Sequence, residues 1–343
     1  MTIIYFILIL GITIMIHELG HFIFAKKAGV YVYEFSLGMG PKLFKFKRKN
    51  DETEYSIRLF PIGGFVSMAG EDMEDDGNIP KEKQLINKKW YQRFSTIIAG
   101  IVFNFLLAII LLFIVALIHG APILKPIINS IDSTYLISET NLKIGDIITK
   151  INDKKINSQD DLLLELQVNN GKTIEVEANN NKTVILTPTL VTEDGVSSYR
   201  YGFTLENKVQ KGILPAIKYA FLKTGSLVKQ MFNIILYLVT GKLSLSSLSG
   251  PIGIYNVVAE VSQTGILNIL YLIAYLCINV GFINFLPIPA FDGGRILFLI
   301  IEKIKGSKVN PKIENMIHSI GFLLLMILMV VVTYNDIIRI FVK

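Results

Sequence analysis

One cysteine, one tryptophan and four histidines occur in 343 residues, and only 18% of the chain is charged. The lone cysteine, Cys277, excludes a disulfide framework and a CxxC-type zinc site with it. An ordinary soluble domain carries about 25% charged residues, so charge this sparse excludes a single soluble globule. The 51% hydrophobic content excludes a disordered chain. No basic block or stripe with interleaved aromatics is present, so the net charge of +6 does not signal nucleic acid as a partner. With a mean hydropathy of +0.50, the composition fits a multi-spanning membrane protein carrying one soluble insert.

Four apolar segments reach the roughly 20 residues a helix needs to cross the hydrocarbon: Thr2–Phe24, Phe94–Ile118, Ile266–Leu286 and Ile317–Tyr334. The first lacks the charged start and small-x-small site of a signal peptide and runs into His17, Glu18 and His21, so it reads as a retained helix. Lys and Arg number 13 in residues 26–93, 5 in 287–316 and 14 in the much longer 119–265. The positive-inside rule then puts 26–93 and 287–316 in the cytoplasm, and both termini and 119–265 outside.

His17-Glu18-Leu19-Gly20-His21 is an HExxH pattern. On a helix, positions i and i+4 share a face, so both imidazoles reach one zinc ion while Glu18 stands where a general base must be. Catalytic zinc takes three protein ligands and keeps one position open. No third His or Glu follows at short range, and Asp292, in Asn284-Phe-Leu-Pro287-Ile-Pro289-Ala-Phe-Asp292-Gly293-Gly294-Arg295, is the best candidate. The first and third spans run in the same direction, and the histidines and Asp292 fall toward their cytoplasmic ends. The prolines and paired glycines break the helix there, which membrane depth tolerates only around a wet or protein-lined cavity. His119 and His318, at helix ends without partner motifs, read as interfacial residues.

The HELGH and NFLPIPAFDGGR segments resemble the RseP/site-2 protease family of intramembrane zinc metalloproteases, and the likeness extends over nearly the whole chain. The resemblance implies one Zn2+ on His17, His21 and Asp292, with Glu18 as the catalytic glutamate. It also implies substrate contacts from Asn284, with Pro287 and Pro289 in the same motif. This chain departs from the family in Ala290-Phe291 before the Asp-Gly pair, a change of volume that bears on substrate fit more than on metal. Alternating segments around Phe35–Phe44 and Tyr55–Val66, bounded by glycine and proline, read as strands and resemble the family's membrane-reentrant β-hairpin. An exposed strand there can hold an extended substrate by β-augmentation, through Gly63, Gly64 and Phe65; a purely folding role is the alternative. Gly100-Ile-Val-Phe-Asn104-Phe matches a family motif in the second span, with Asn104 either packing or supporting the metal. Five acids in six residues from Glu71 to Asp76 read as a solvated loop.

Residues 122–206 are richer in Asn, Asp and Lys, and the segment Asn141 to Ile156 resembles a PDZ signature. Ser158 reads as a helix N-cap, with Leu162–Val168 amphipathic and strands at Thr173–Ala178 and Thr183–Pro188. Such a domain takes up a peptide strand or screens substrate ectodomains by size, and the residues fit either. Lys211–Gly241 reads as an amphipathic helix on the outer membrane face, and Ser249-Gly250-Pro251 as a turn.

The expected fold is thus an α-helical membrane protein: a four-transmembrane-helix core with a membrane-reentrant β-hairpin and one inserted PDZ domain, itself β-rich α+β. The layout is a first span at 1–25, a β region and loop at 26–93, and a second span at 94–118. The PDZ domain follows at 122–206, then the interfacial helix and Gly-Pro region at 207–260 and a third span at 264–286. The Asp-Gly loop at 287–295, a connection at 296–313, the fourth span at 314–336 and a tail at 337–343 complete it. The resemblance implies a bacterial cytoplasmic-membrane protease whose partners are the lipid bilayer and single-span membrane substrates, such as an anti-sigma factor or a remnant signal peptide.

Overall fold

The long apolar runs become helices because a backbone without water must satisfy its polar groups within the segment. The computed structural model describes residues 1–71, 76–132, 142–179, 182–193 and 196–341. Along the chain, α1 (Thr2–Lys27) leads into β1 (Val32–Lys47) and β2 (Glu54–Met68), and then α2 (Trp90–His119). Next come β3 (Ala121–Pro122), β4 (Ile128–Ile131), β5 (Ile148–Ile151), β6 (Lys154–Lys155), α3 (Gln159–Val168), β7 (Ile174–Ala178) and β8 (Lys182–Leu186). They are followed by β9 (Thr189–Glu193), β10 (Val196–Arg200), β11 (Phe203–Leu205), β12 (Val209–Gln210) and α4 (Ile213–Val239). The chain ends with α5 (Pro251–Val261), α6 (Ile266–Phe285), α7 (Asp292–Lys305) and α8 (Pro311–Phe341). Among the described residues, four helices, α1, α2, α6 and α8, are long and apolar enough to cross a membrane, matching the four expected spans. Residues 1–111 with 245–343 form one compact unit and residues 112–244 another.

In the first unit, β1 and β2 pair, but not as the simple hairpin expected. Residues 32–37 pair with 64–68 on one side and 54–57 on the other, and 42–47 pair with 54–58. The result is four short segments in the order 64–68, 32–37, 54–58, 42–47. The physical cause lies at the bends: Gly38, Gly40 and Gly63 hold φ of +87°, +84° and +97°, which side-chain-bearing residues resist, so each long strand folds across its middle. Val30, Val32, Val66, Met68 and Leu85 bury the base of this sheet against Ala25 of α1. Beyond the bends, Met39, Leu43, Phe44, Ile57, Leu59 and Phe60 are exposed.

Two further expectations change. Gly250-Pro251 starts α5 rather than only a turn: proline at the first helical position comes pre-set for the helix, and Asp336 Oδ2 of α8 accepts the Gly253 N–H at 2.9 Å. Asp292 is not in a loop but opens α7. That helix lies on α2, where Trp90 Nε1 donates to Leu299 O at 2.7 Å and Arg93 pairs with Glu302. Ile97, Ile101, Ile296 and Leu299 pack between them.

The second unit is β-rich. Strands β6-β5-β7-β8 form one antiparallel sheet, and β4 pairs with β11, β9 with β10 and β3 with β12. Ile148, Ile151, Ile174, Val176 and Leu186 turn inward with Leu162 of α3. The Ser158 cap is present, its Oγ accepting the Asp161 N–H at 3.1 Å. Asn141, which opens the expected PDZ signature, and residues 72–75 of the acidic run lie outside the described residues.

Two lysines of α4 pair with acids of α3: Lys223 Nζ meets Asp160 at 2.6 Å and Lys229 Nζ meets Asp161 at 2.7 Å. Ser226 donates to Asp160 at 2.7 Å, and the Tyr237 hydroxyl donates to Glu165. Burial and that carboxylate together push the Tyr237 pKa upward. The polar stripe of α4 therefore faces α3, while Leu214, Phe221, Phe232 and Val239 are left exposed.

Candidate metal centre

One turn of α1 carries the two imidazoles. His17 Nε2 and His21 Nε2 lie 3.2 Å apart, and Asp292 Oδ2 completes a triangle at 3.1 Å from the first and 3.2 Å from the second. Asp292 reaches them because the helix breaks after α6 and restarts at residue 292. The restart packs back tightly: a Cβ at Gly293 would lie 2.1 Å from Leu286 O, so only glycine fits. Both histidines are buried, and Asp292 Oδ2 is a buried atom with no hydrogen-bond donor.

These three atoms suit zinc. Ligands 2.0–2.1 Å from a tetrahedral ion stand about 3.3 Å from one another, close to the observed edges. Three lone-pair atoms converging with no proton donor between them, one on an orphaned carboxylate oxygen, form a donor set that a cation satisfies and nothing else nearby does. They are a metal-capable cluster of His and Asp among the described residues.

The ring orientations are set from behind. His21 Nδ1 faces Thr96 O at 2.9 Å, so Nδ1 carries the proton and Nε2 is left free to ligate. His17 Nδ1 lies 3.3 Å from Asn104 Nδ2, while Asn104 Oδ1 is buried without a partner. Turning the amide over sets Oδ1 against His17 Nδ1–H. Gly100 makes this closeness of α2 possible: a Cβ there would lie 2.3 Å from His21 Nε2.

The triangle opens on a cavity of ≈540 Å³ whose lining includes Glu18, Phe65, Val66, Glu71, Asn284 and Phe291. Glu18, Asn284 and Phe65 are therefore brought to one space. Gly64 stands beside Glu18, its Cβ position 3.4 Å from Glu18 Cγ. Gly63, Pro287 and Pro289 are not in the lining; the first bends β2, and the prolines shape the turn before Asp292. Further residues around the site escaped the sequence reading. Arg295 pairs with Glu71 at 2.8 Å, which ties one acid of the supposed solvated run to the site. Thr96 acts only through its carbonyl, which no side-chain pattern reveals. His318, assigned to an interface, instead lines the cavity and accepts the Ala290 N–H at Nδ1; only the fold of α8 over the 287–291 turn brings it there.

Membrane-length helices and a buried His-His-Asp triangle with a glutamate in the same cavity define a membrane-embedded metallohydrolase. The model of Peptidase family M50 matches residues 5–328, and the chain belongs to that family. It is 34% identical to the regulator of sigma-W protease RasP of Bacillus subtilis over 99% of both chains, and 34% identical to the zinc metalloprotease RasP of Bacillus licheniformis over 99% of both. The Geobacillus kaustophilus zinc metalloprotease RasP is 31% identical over 99% of this chain and 98% of its own. The protein is a zinc metalloprotease of the intramembrane, site-2 protease type, with Zn2+ as its cofactor.

Proposed function

We propose that this protease hydrolyses peptide bonds within or beside the transmembrane segment of single-spanning membrane proteins, as in anti-sigma factor or remnant signal peptide cleavage. The observation that carries the reading is the 3.1–3.2 Å triangle of His17, His21 and Asp292 with Glu18 on the same cavity. His17, His21 and Asp292 hold the zinc, which supplies Lewis acidity to a water and to the scissile carbonyl. Glu18 accepts the proton of that water and returns it to the leaving amine. Asn104 supports His17 from behind. Asn284 and Phe65 contact the substrate, with Gly63, Gly64, Pro287 and Pro289 shaping the backbone around it.

A helical substrate hides its peptide bonds, so it must be held extended. Residues 64–68 form an outer segment of their sheet, and Phe65 and Val66 of that segment line the cavity, which supports strand addition there. The exposed apolar residues beyond the bends support a reentrant β element in apolar surroundings. Residues 122–206 act as a PDZ domain, and α4 meets lipid with its exposed apolar side. The Lys and Arg bias supports a cytoplasmic-membrane protein with both termini and residues 119–265 outside and the catalytic site near the cytoplasmic side.

The test uses a panel of single-span substrates in proteoliposomes with wild type and Glu18→Gln. The expected outcome is stoichiometric zinc in both and cleavage by wild type alone, slowed by at least a hundredfold in the variant. Equal cleavage by the two refutes the mechanism, and retention of zinc by both His17→Ala and Asp292→Ala refutes the site.

A further inference from the structure

We infer that His318 is a positioning residue for Asp292: its Nδ1 pins the turn at Ala290 from which that carboxylate is presented. This rests on reading Asp292 as a zinc ligand. Ala290 has φ +85°, and besides Asn50 and Asn152 it is the one non-glycine residue at positive φ among the described residues. The left-handed region sets Cβ against the following carbonyl, and alanine has no side-chain hydrogen bond to offset that. An alanine turn of this kind relaxes unless its surroundings hold it.

What holds it is α8. The Ala290 N–H donates to His318 Nδ1 at 3.1 Å. An accepting Nδ1 leaves the ring's proton on Nε2, and Nε2 is a buried atom with no partner. The ring thus carries an unsatisfied nitrogen that Phe or Leu in its place would not, and the bond it makes in return is the one to Ala290. The ring is itself fixed, with Phe298 of α7 packed on it at 5.7 Å between centroids. One helical turn along α8, a Cβ at Gly321 would lie 2.4 Å from Pro289 Cβ and 2.6 Å from Pro289 O. The backbone of α8 therefore lies directly on the residue before Ala290. Ala290 stands two residues before Asp292, whose Oδ2 forms two edges of the ligand triangle. A zinc ligand tolerates displacement of only about 0.2 Å, so a turn that relaxes in φ draws the carboxylate off its position.

The experiment measures the zinc dissociation constant of the purified full-length protein in detergent by competition with a chelator, and amide hydrogen exchange at Ala290 in the zinc-free protein. His318→Phe keeps a ring but no acceptor; His318→Asn keeps an acceptor near the Nδ1 position and removes Nε2; His318→Gln keeps polarity only at the Nε2 end. His318→Phe and His318→Gln are expected to weaken zinc binding about five- to tenfold, the worth of one hydrogen bond, and to speed exchange at Ala290. His318→Asn is expected to stay within about twofold of wild type in both readouts. Adding Ala290→Gly to His318→Phe is expected to recover most of the affinity, because glycine takes φ +85° freely. Wild-type zinc affinity in His318→Phe, or an Asn variant as impaired as the Phe and Gln variants, overturns the inference. Undiminished zinc in Asp292→Ala instead overturns the underlying ligand assignment, whatever the His318 variants do.

Discussion

Adding a single methyl group at Gly100 strikes the metal centre directly. An alanine Cβ there would stand 2.3 Å from His21 Nε2 and 2.8 Å from both His17 Cε1 and His21 Cε1, where ordinary contact begins at 3.4 Å. The shortfall at Nε2 is about 1.1 Å, against the roughly 0.2 Å that zinc coordination tolerates. Either the imidazoles swing away or α2 retreats, and α2 is tied to α1 by His21 Nδ1 on Thr96 O and to α7 by Trp90 on Leu299 O. Overpacking of this kind costs about 1–3 kcal/mol of stability, which a folded membrane protein survives. The zinc site does not: displacing a ligand atom by more than its tolerance costs at least a hundredfold in affinity, beyond what losing an outer partner does. Metal analysis of purified Gly100→Ala is expected to show a folded protein with far less than one zinc per chain and no cleavage of a single-span substrate. Gly11→Ala, where nothing lies within 4 Å, serves as control and is expected to keep both. Full zinc occupancy and activity in Gly100→Ala refutes the placement of α2 against the histidines.

Two further predictions concern charges away from the metal. Lys223 and Asp160 are each about one-tenth exposed and 2.6 Å apart, so Lys223→Ala leaves a buried carboxylate and is expected to destabilise residues 112–244 by about 3 kcal/mol. Thermal proteolysis reads this, and the Lys223→Ala/Asp160→Ala pair is expected to cost well under the sum of the singles; additive losses refute the coupling. Asp51 accepts from Lys26 Nζ at 2.9 Å, the leading cause, with the Thr53 N–H and the Tyr55 hydroxyl, of a pKa lowered from 3.8 to about 2. Its folded-state pKa is depressed, so its contribution to stability is complete above about pH 4 and is lost as pH falls through 2. Protection of the β1–β2 connection, corrected for intrinsic exchange, is expected to fall over that window in wild type and to lose this dependence in Lys26→Met. An unchanged profile in the variant refutes the assignment.

The chain alone determined the parts that are local or compositional. Apolar runs of spanning length become helices because nothing else satisfies a backbone in hydrocarbon, so the four helices were legible, although α8 runs six and seven residues beyond its expected ends. The i, i+4 spacing of His17 and His21 dictates a shared face, and Ser158 caps its helix by a bond three residues long. The tertiary structure decided whatever depends on partners far apart in sequence. Glycine bends folded the expected hairpin into four segments, because pairing register is a property of both strands at once. Lys223 and Lys229 pair with acids of α3, because a lysine's stem suits many settings and only the nearby acids choose. His318 joined the cavity wall for the same reason: its hydrogen-bond partner is a backbone amide 28 residues away, which leaves no side-chain signature to find. That Asp292 closes the triangle was inferable from span direction, but the 3 Å edges also need glycine at 100, which leaves room for the two imidazoles, and glycine at 293, which lets the restarted helix meet the Leu286 carbonyl.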